Sequence, residues 1–393
     1  MIETDGPLVL FFEFKRGFNF CHLKTELNFK NLKTLLLATF VDFWRKGSGH
    51  RARINALVSY LMDKTHITVF FAGAANDEGR KILALDFPMV KFEFAAHDAT
   101  ITFKDYKEKF KEFIQGKNFD IAVIEYIELS NILELLPSTT ITMLDTHDLV
   151  FERIRSFKKY GVDYDGIVLS KKDELEIFQC YDYVLLIQKK DFEKVAQKMD
   201  SDRLLLVPHP PFLEMTHVRE TCTQVGYVAS QYQPNIDGLK WFIDNVWRTI
   251  LKKYNLTLNV YGNIGTAFYE PTKKIKNILF HGFTEDLIEA YKGMDIIINP
   301  VRCGAGLKIK NVEALGFGIP LITTSHGASG MEDGVSTALL VADTPKEFTA
   351  AFDRIIKDFA FRTQMGKAGF EYANINFSKE KSYGNLLKAI NDV

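Results

Sequence analysis

The 393-residue sequence is short of several features that would narrow its class. It has only four cysteines, Cys21, Cys180, Cys222 and Cys303, far apart and without a Cys-x-x-Cys pair. That disfavours a disulfide framework or a structural zinc site and suits a reducing compartment. It has no charge of one sign to spare. Lys and Arg number 49 against 50 Asp and Glu, a net charge of -1. A protein gripping nucleic acid through its phosphates is usually more basic, so no nucleic-acid partner is expected. It has no long apolar run either. The longest, such as 34–44, falls well below the ~20 residues that cross a bilayer. Glu3 and Asp5 stand where a signal peptide needs base. A cytoplasmic, non-integral protein is expected. Repeats and low-complexity tracts are also absent, and 47% hydrophobic with 25% charged residues is the balance of a folded globular chain.

What is present is an alternation of short apolar runs with helix-length amphipathic runs. The first half offers strands at 32–40, 66–73, 89–96, 119–126, 139–144, 183–188 and 203–208, with helical spacing between, as at 51–62 and 104–115. At Val207-Pro208-His209-Pro210-Pro211 three prolines in four residues break the pattern, since they suit neither a helix interior nor a central strand. The alternation then restarts, with strands at 224–230, 257–262, 278–283, 295–300, 319–324 and 338–342. Helices are expected from Asn235, Thr284 and Leu307, and helices run to the C-terminus. This is the pattern of parallel sheets covered by helices, an α/β chain. The expected division is a first domain over 1–209, a second over 210–375, and a final helix over 376–393 that crosses back to the first. Two such domains leave a cleft between two sets of strand ends, where doubly wound folds bind ligands.

The most informative run spans 299–320. It reads as strand, glycine turn, helix, glycine, strand. Gly304 and Gly306 let the backbone approach a ligand closely, and the following helix start offers free amides and a positive dipole end. Lys308 and Lys310 are expected in the first turn, where cations oppose the dipole. They make sense there if an anion lies between, so a phosphate site is expected. Glu313, three residues past Lys310, falls on the same helix face. A carboxylate beside a phosphate suits a ribose diol, from which it can accept two hydrogen bonds. Together these residues describe a pocket for a nucleoside diphosphate.

The run from Gly304 to Thr324 resembles the donor-site signature of GT-B glycosyltransferases, most closely the large retaining family that includes bacterial polysaccharide and glycan transferases. Residues 225–243 resemble that family's first strand and helix of the C-terminal domain, and 281–300 the loop and strand around the nucleotide base. The resemblance implies two doubly wound Rossmann-like domains facing each other across a cleft. It implies a glycosyltransferase that moves a sugar, with retention, from a UDP- or GDP-sugar to a glycan, lipid-linked or other hydroxyl acceptor, with no further cofactor. The donor would meet Gly304, Ala305, Gly306, Leu307, Lys308, Lys310, Glu313, Phe283 and Gly226. Lys308 and Lys310 would hold the diphosphate, Glu313 the ribose, and Phe283 the base. One position departs from the family. Its commoner pattern has a Glu eight residues before the ribose Glu, and here that residue is Ala305, with Arg302 and Cys303 nearest in alignment. A sugar-nucleotide 2-epimerase of the same fold, or a degenerate transferase serving as a binding subunit, are the alternatives.

In the first half, Gly47 and Gly49 fit a glycine loop between strand and helix, and with His50 and Asp148 they are expected to face the acceptor. A dinucleotide fingerprint is a poorer reading, because the loop is too long for the tight turn it needs and the next plausible acid, Asp77, comes about 30 residues on rather than ~20. The run 142–148 ends a strand with Asp145, His147 and Asp148 at the cleft edge. Asp145 and His147 are taken as catalytic candidates beside Lys308 and Lys310, His147 positioning the acceptor proton. No cluster with metal-ligand spacing is apparent in sequence, so no metal is expected. Residues 15–53 hold nine Lys and Arg (Lys15, Arg16, Lys24, Lys30, Lys33, Arg45, Lys46, Arg51 and Arg53) against Glu26 and Asp42. This stretch would touch an anionic membrane surface, meet an anionic acceptor, or stand as a solvated face.

Overall fold

Strand β1 (Thr34–Thr39) shows how the first domain is built. Leu35 and Leu37 belong to one buried cluster, Leu36 and Ala38 to another, so the strand is covered on both faces. A parallel strand buried on both sides carries a continuous apolar run rather than an alternating one. The computed structural model describes residues 32–96, 103–164, 166–268, 276–284 and 286–393, and Lys33–Val393 form one compact unit. Lys15, Arg16, Lys24, Lys30 and Cys21 lie outside the described residues.

The first sheet holds β1, β2 (His66–Phe71), β3 (Lys91–Phe94), β4 (Ile121–Glu125), β5 (Ile141–Asp145), β6 (Tyr183–Leu186) and β7 (Leu204–Leu206), all parallel, in the order β3-β2-β1-β4-β5-β6-β7. Helices α1 (Gly49–Leu61), α2 (Asp77–Asp86), α3 (Phe103–Ile114), α4 (Val150–Tyr160), α5 (Lys171–Phe178) and α6 (Lys189–Ala196) connect them. The second sheet repeats the plan. Its order is β10-β9-β8-β11-β12-β13, from β8 (Gln224–Val228), β9 (Thr257–Tyr261), β10 (Ile278–Gly282), β11 (Ile296–Asn299), β12 (Leu321–Thr323) and β13 (Leu340–Val341). Its helices are α7 (Gln233–Phe242), which runs through a π turn into the short α8 (Arg248–Ile250), then α9 (Leu287–Lys292), α10 (Ile309–Gly316), α11 (Pro345–Lys357) and α12 (Phe359–Phe377). Each of the thirteen expected strands is present. Both sheets reverse direction beside their first strand, the switch point where such folds open a ligand crevice.

The last helix, α13 (Lys379–Asn391), starts at the Ser378 cap and returns to the first domain. Its Tyr383, Leu386, Ala389 and Ile390 are buried in the same cluster as Ile54, Leu57 and Leu61 of α1. Among the described residues no helix is long and apolar enough to cross a membrane.

Three helix starts differ from the expected ones: the helix expected from Asn235 begins at Gln233, with Pro234 in its first turn. The helix expected from Thr284 begins at Leu287, capped by the Asp286 carboxylate. The helix expected from Leu307 begins at Ile309. Gly304 and Gly306 take φ of 116° and 68°, which no helix can use, so the chain turns helical only after them.

Candidate functional site

The turn after β11 brings the second-half candidates together. Lys308 is the residue capping α10, not a member of its first turn, and Lys310 is the second helical residue. No side chain caps this helix start. The Lys308 ammonium donates to the carbonyls of Ala305 and Gly306, at 3.1 and 2.9 Å. Lys310 donates to Asn235 Oδ1 at 2.8 Å and lies 4.7 Å from the centre of the Tyr227 ring. Both cations therefore rest on neutral acceptors. Burial pushes the Lys308 ammonium down to about 8, against the pull of Asp148 and Asp191. Burial and then the Lys308 charge push Lys310 down to about 7. On the same helix, Glu313 accepts from the Tyr291 hydroxyl at 2.8 Å through Oε2, and burial pushes its carboxyl up to about 7.

The two domains touch at this turn. A side chain on Gly306 would come within 2.8 Å of the His147 carbonyl and 3.0 Å of Asp148 Cβ. The Gly304 amide donates to the Ser156 hydroxyl of α4 at 3.0 Å. On the first-domain side, a Cβ on Gly47 would lie 3.1 Å from the Phe283 ring, and one on Gly49 3.3 Å from Ile309. Gly49 is the first residue of α1, which is also uncapped by any side chain. Two helix N-termini without side-chain caps thus meet where the domains touch, with Lys308 and Lys310 on one of them. Each such terminus presents unpaired amides and a positive dipole end. His50 stands at the rim, hydrogen-bonded to Ser48 at 3.1 Å.

Beneath the first-domain wall lies a buried charged network. Arg53 holds both oxygens of Asp145, at 2.8 and 2.7 Å, and donates to the Val207 carbonyl at 2.8 Å. Burial works against the Asp145 charge, but Arg53 and then His147 keep its carboxyl below the usual range. The register of β4 and β5 sets Glu125 opposite Asp145. Burial, reinforced by Asp145, pushes Glu125 well up. Its Oε2 lies 2.6 Å from His147 Nε2, and burial pushes that imidazole down to about 4. The short contact is a single hydrogen bond between a carboxyl whose proton affinity is raised by burial and an imidazole whose proton affinity is lowered by it. His147 adopts φ 58° and stacks flat on Tyr126 at 3.9 Å. A non-glycine residue at positive φ is strain that the surrounding structure must hold in place.

Two sequence expectations are corrected here. Asp145 is fully buried with both oxygens taken, so it supports the site and does not touch a substrate. The compactness expected of a metal site does occur, because the ligand atoms of Glu125, Asp145 and His147 lie within 4.8 Å of one another. The Arg53 guanidinium fills the cation's role beside Asp145, so the donor set does not fit a metal. Other candidates take up varied positions. Gly226 is a packing glycine of β8, where any Cβ would strike Ile297 and Met294 at 2.6 Å. Arg302 does not reach the donor turn but grips Asp237 of α7 with two nitrogens. Of the basic stretch, Arg53 is buried, while Arg45 and Arg51 pair with Asp42. Sequence reasoning missed Arg53, Glu125, Tyr126, Ser156, Asn235 and Tyr291 as parts of the site. The one sequence signal was an Arg inside a helix face that is otherwise apolar at Ile54, Leu57 and Leu61.

Comparison with known proteins bears on the fold and on the second half. Residues 222–358 match the family described as glycosyl transferases group 1. The whole chain has the GT-B fold. A Klebsiella pneumoniae protein, described as an uncharacterized 44.6 kDa protein in the cps region, is 24% identical over 242 residues. That match spans 59% of this chain and 62% of the relative's length. Among solved structures, Anabaena HepE in complex with UDP and glucose superposes with a TM-score of 0.67 at 11% identity, covering 92% of this chain and 100% of that one. Staphylococcus aureus TarM in complex with UDP superposes with a TM-score of 0.72 at 9% identity, again over 92% and 100%. At these identities the likeness is one of fold. Within this fold the 304–308 turn of the second half lies against the His147 loop of the first.

Proposed function

We propose that the protein transfers a glycosyl group, with retention, from a UDP- or GDP-sugar to a hydroxyl of a glycan, lipid-linked or other acceptor. The observation that carries this reading is the convergence of two uncapped helix N-termini and two half-buried lysines where the domains touch. A diphosphate there would exchange the lysines' neutral contacts for charge-assisted hydrogen bonds, which are about twice as strong. Glu313, with Oε1 not engaged by Tyr291, is suited to the ribose diol. Phe283, half exposed beside Gly47, is suited to stack on the base.

The chemistry follows from the charge that develops. The bond from the sugar's anomeric carbon to the phosphate oxygen breaks, and negative charge gathers on the leaving diphosphate. Lys308, Lys310 and the amides of both helix starts stabilise it from fixed positions in a water-poor site. The acceptor hydroxyl attacks from the leaving-group face, its oxygen bonds to the anomeric carbon, and its proton passes to the departing phosphate. No protein nucleophile is required. His147, held by Glu125 and Tyr126, forms the opposite wall and orients the sugar and the incoming hydroxyl. The cps-region relative supports a part in polysaccharide assembly, and we place the protein in the cytoplasm. The complexes of HepE with UDP-glucose make UDP the first nucleotide to test. Incubation with UDP- and GDP-sugars and a mixed acceptor pool should yield free nucleoside diphosphate and a new glycoside. An isomerised sugar nucleotide would point to the epimerase, and tight binding with no turnover to a binding subunit.

A further inference from the structure

Beside the donor turn the cleft holds a second group of side chains that the leaving-group chemistry does not use. Tyr126, Glu128, Asp148, Arg153 and Tyr164 come from the first domain and Tyr232 from the second. The Arg153 guanidinium lies 5.5 Å from the centre of the Tyr164 ring and 3.6 Å from Asp148 Oδ1, too far for a hydrogen bond. Glu128 and the Tyr232 hydroxyl both sense the Arg153 and Asp148 charges. Tyr126 stacks on His147, and the Asp148 backbone adjoins Gly306, so this group lies against the place where the transferred sugar would sit.

Three polar atoms in this one group, Glu128 Oε2, Asp148 Oδ1 and Arg153 Nε, are buried and have no hydrogen-bond partner. Buried polar atoms are normally hydrogen-bonded and are costly to leave without a partner, so their convergence calls for one. Their chemistry defines it. Two acceptors and one donor match adjacent hydroxyls, which both donate and accept. The tyrosine rings wall this group with apolar carbon, the kind of surface that the C–H side of a pyranose packs against. A phosphate or carboxylate would satisfy Arg153 but would stand against Asp148 and Glu128. Burial pushes the Glu128 carboxyl above its ordinary value, against the pull of its own backbone amide and of Arg153.

We propose that this tyrosine-walled group is the acceptor subsite, and that it takes a neutral saccharide unit rather than a phosphate- or carboxylate-bearing one. The proposal rests on the transferase reading above and names the class of its second substrate.

The test uses the full chain and saturation-transfer NMR. The neutral probes are methyl glucoside, methyl galactoside and methyl N-acetylglucosaminide; the anionic ones are methyl glucuronide and glycerol 3-phosphate. At least one neutral glycoside should receive saturation. That signal should fall at least fivefold in Glu128→Ala and in Tyr164→Ala, and persist in Tyr164→Phe, which keeps the ring. UDP titration of each variant serves as the control for folding. If Glu128→Ala proves unfolded, Glu128→Gln, with the same volume, must show the same drop. Stronger signals from the anionic probes, no signal from any probe, or variants indistinguishable from wild type would each overturn the proposal. Failure of UDP to bind wild-type protein would instead strike the transferase reading, because the saccharide signals are recorded separately.

Discussion

Replacing Lys310 by Met keeps the length of the side chain over the Tyr227 ring and removes its charge. In the free protein that charge is a burden. Lowering an ammonium from 10.5 to about 7 corresponds to roughly 4–5 kcal/mol at 1.36 kcal/mol per pH unit. Lys310 keeps part of its surface in contact with water, and the Met variant leaves Asn235 Oδ1 without its donor. Both reduce the gain, to on the order of 2 kcal/mol. The sign with pH is set by a folded-state value below the unfolded one. The burden is complete below about pH 7 and fades as pH rises towards 10.5, so the stability advantage of Lys310→Met should be largest in acid and shrink in base. Binding should go the other way. A charge-assisted contact to phosphate contributes about 1.5–3 kcal/mol, so UDP or GDP should bind the variant about 10- to 150-fold more weakly at pH 6.5. At pH 8 the wild-type lysine is mostly neutral, and diphosphate binding should draw about one proton from the buffer, an uptake the variant largely lacks. Calorimetry in two buffers of different ionisation enthalpy measures both quantities. A variant that binds UDP within twofold of wild type at pH 6.5 would refute the phosphate assignment.

Three further outcomes follow from the same geometry. Gly306→Ala should cut the transfer rate at least tenfold with little change in circular dichroism, because the added methyl meets the His147 carbonyl at 2.8 Å and sits at φ 68°; steady-state kinetics with a UDP-sugar donor checks it. Asp145→Asn strands the buried Arg53 charge and should destabilise the first domain by about 3–5 kcal/mol, read as a shift of its urea midpoint. Deleting residues 379–393 uncovers the α1 face that Tyr383, Leu386 and Ile390 fill, at about 1.5–3 kcal/mol for each large apolar side chain lost. Limited proteolysis should then cut within 33–206 while a fragment covering 224–358 survives.

Much of the molecule is legible along the chain because its signals are local. A strand buried on both faces must be apolar throughout, as at Leu35, Leu36 and Leu37, and the prolines of 208–211 end one domain without reference to anything distant. The donor turn is local as well: Gly304, Gly306, Lys308, Lys310 and Glu313 lie within ten residues, so their chemistry can be read as one unit. Even there, two glycines at positive φ moved Lys308 from the helix to its cap.

The remainder depended on pairings that sequence spacing does not encode. Arg53 and Asp145 are separated by 92 positions and meet only because α1 packs against the sheet beside β5. In sequence, Arg53 reads as one more surface cation and Asp145 as a catalytic acid; burial and a bidentate contact make them each other's partner. Glu125 reaches His147 because parallel register sets it opposite Asp145, a relation fixed by strand pairing. The sequence by itself determined the strands of the two sheets and the glycine turn that precedes α10, since hydrophobic period and turn chemistry act within a few residues. Tertiary structure alone decided which charges are buried, which side chains pair and what faces that turn, since desolvation and Coulomb interaction depend on distances in space.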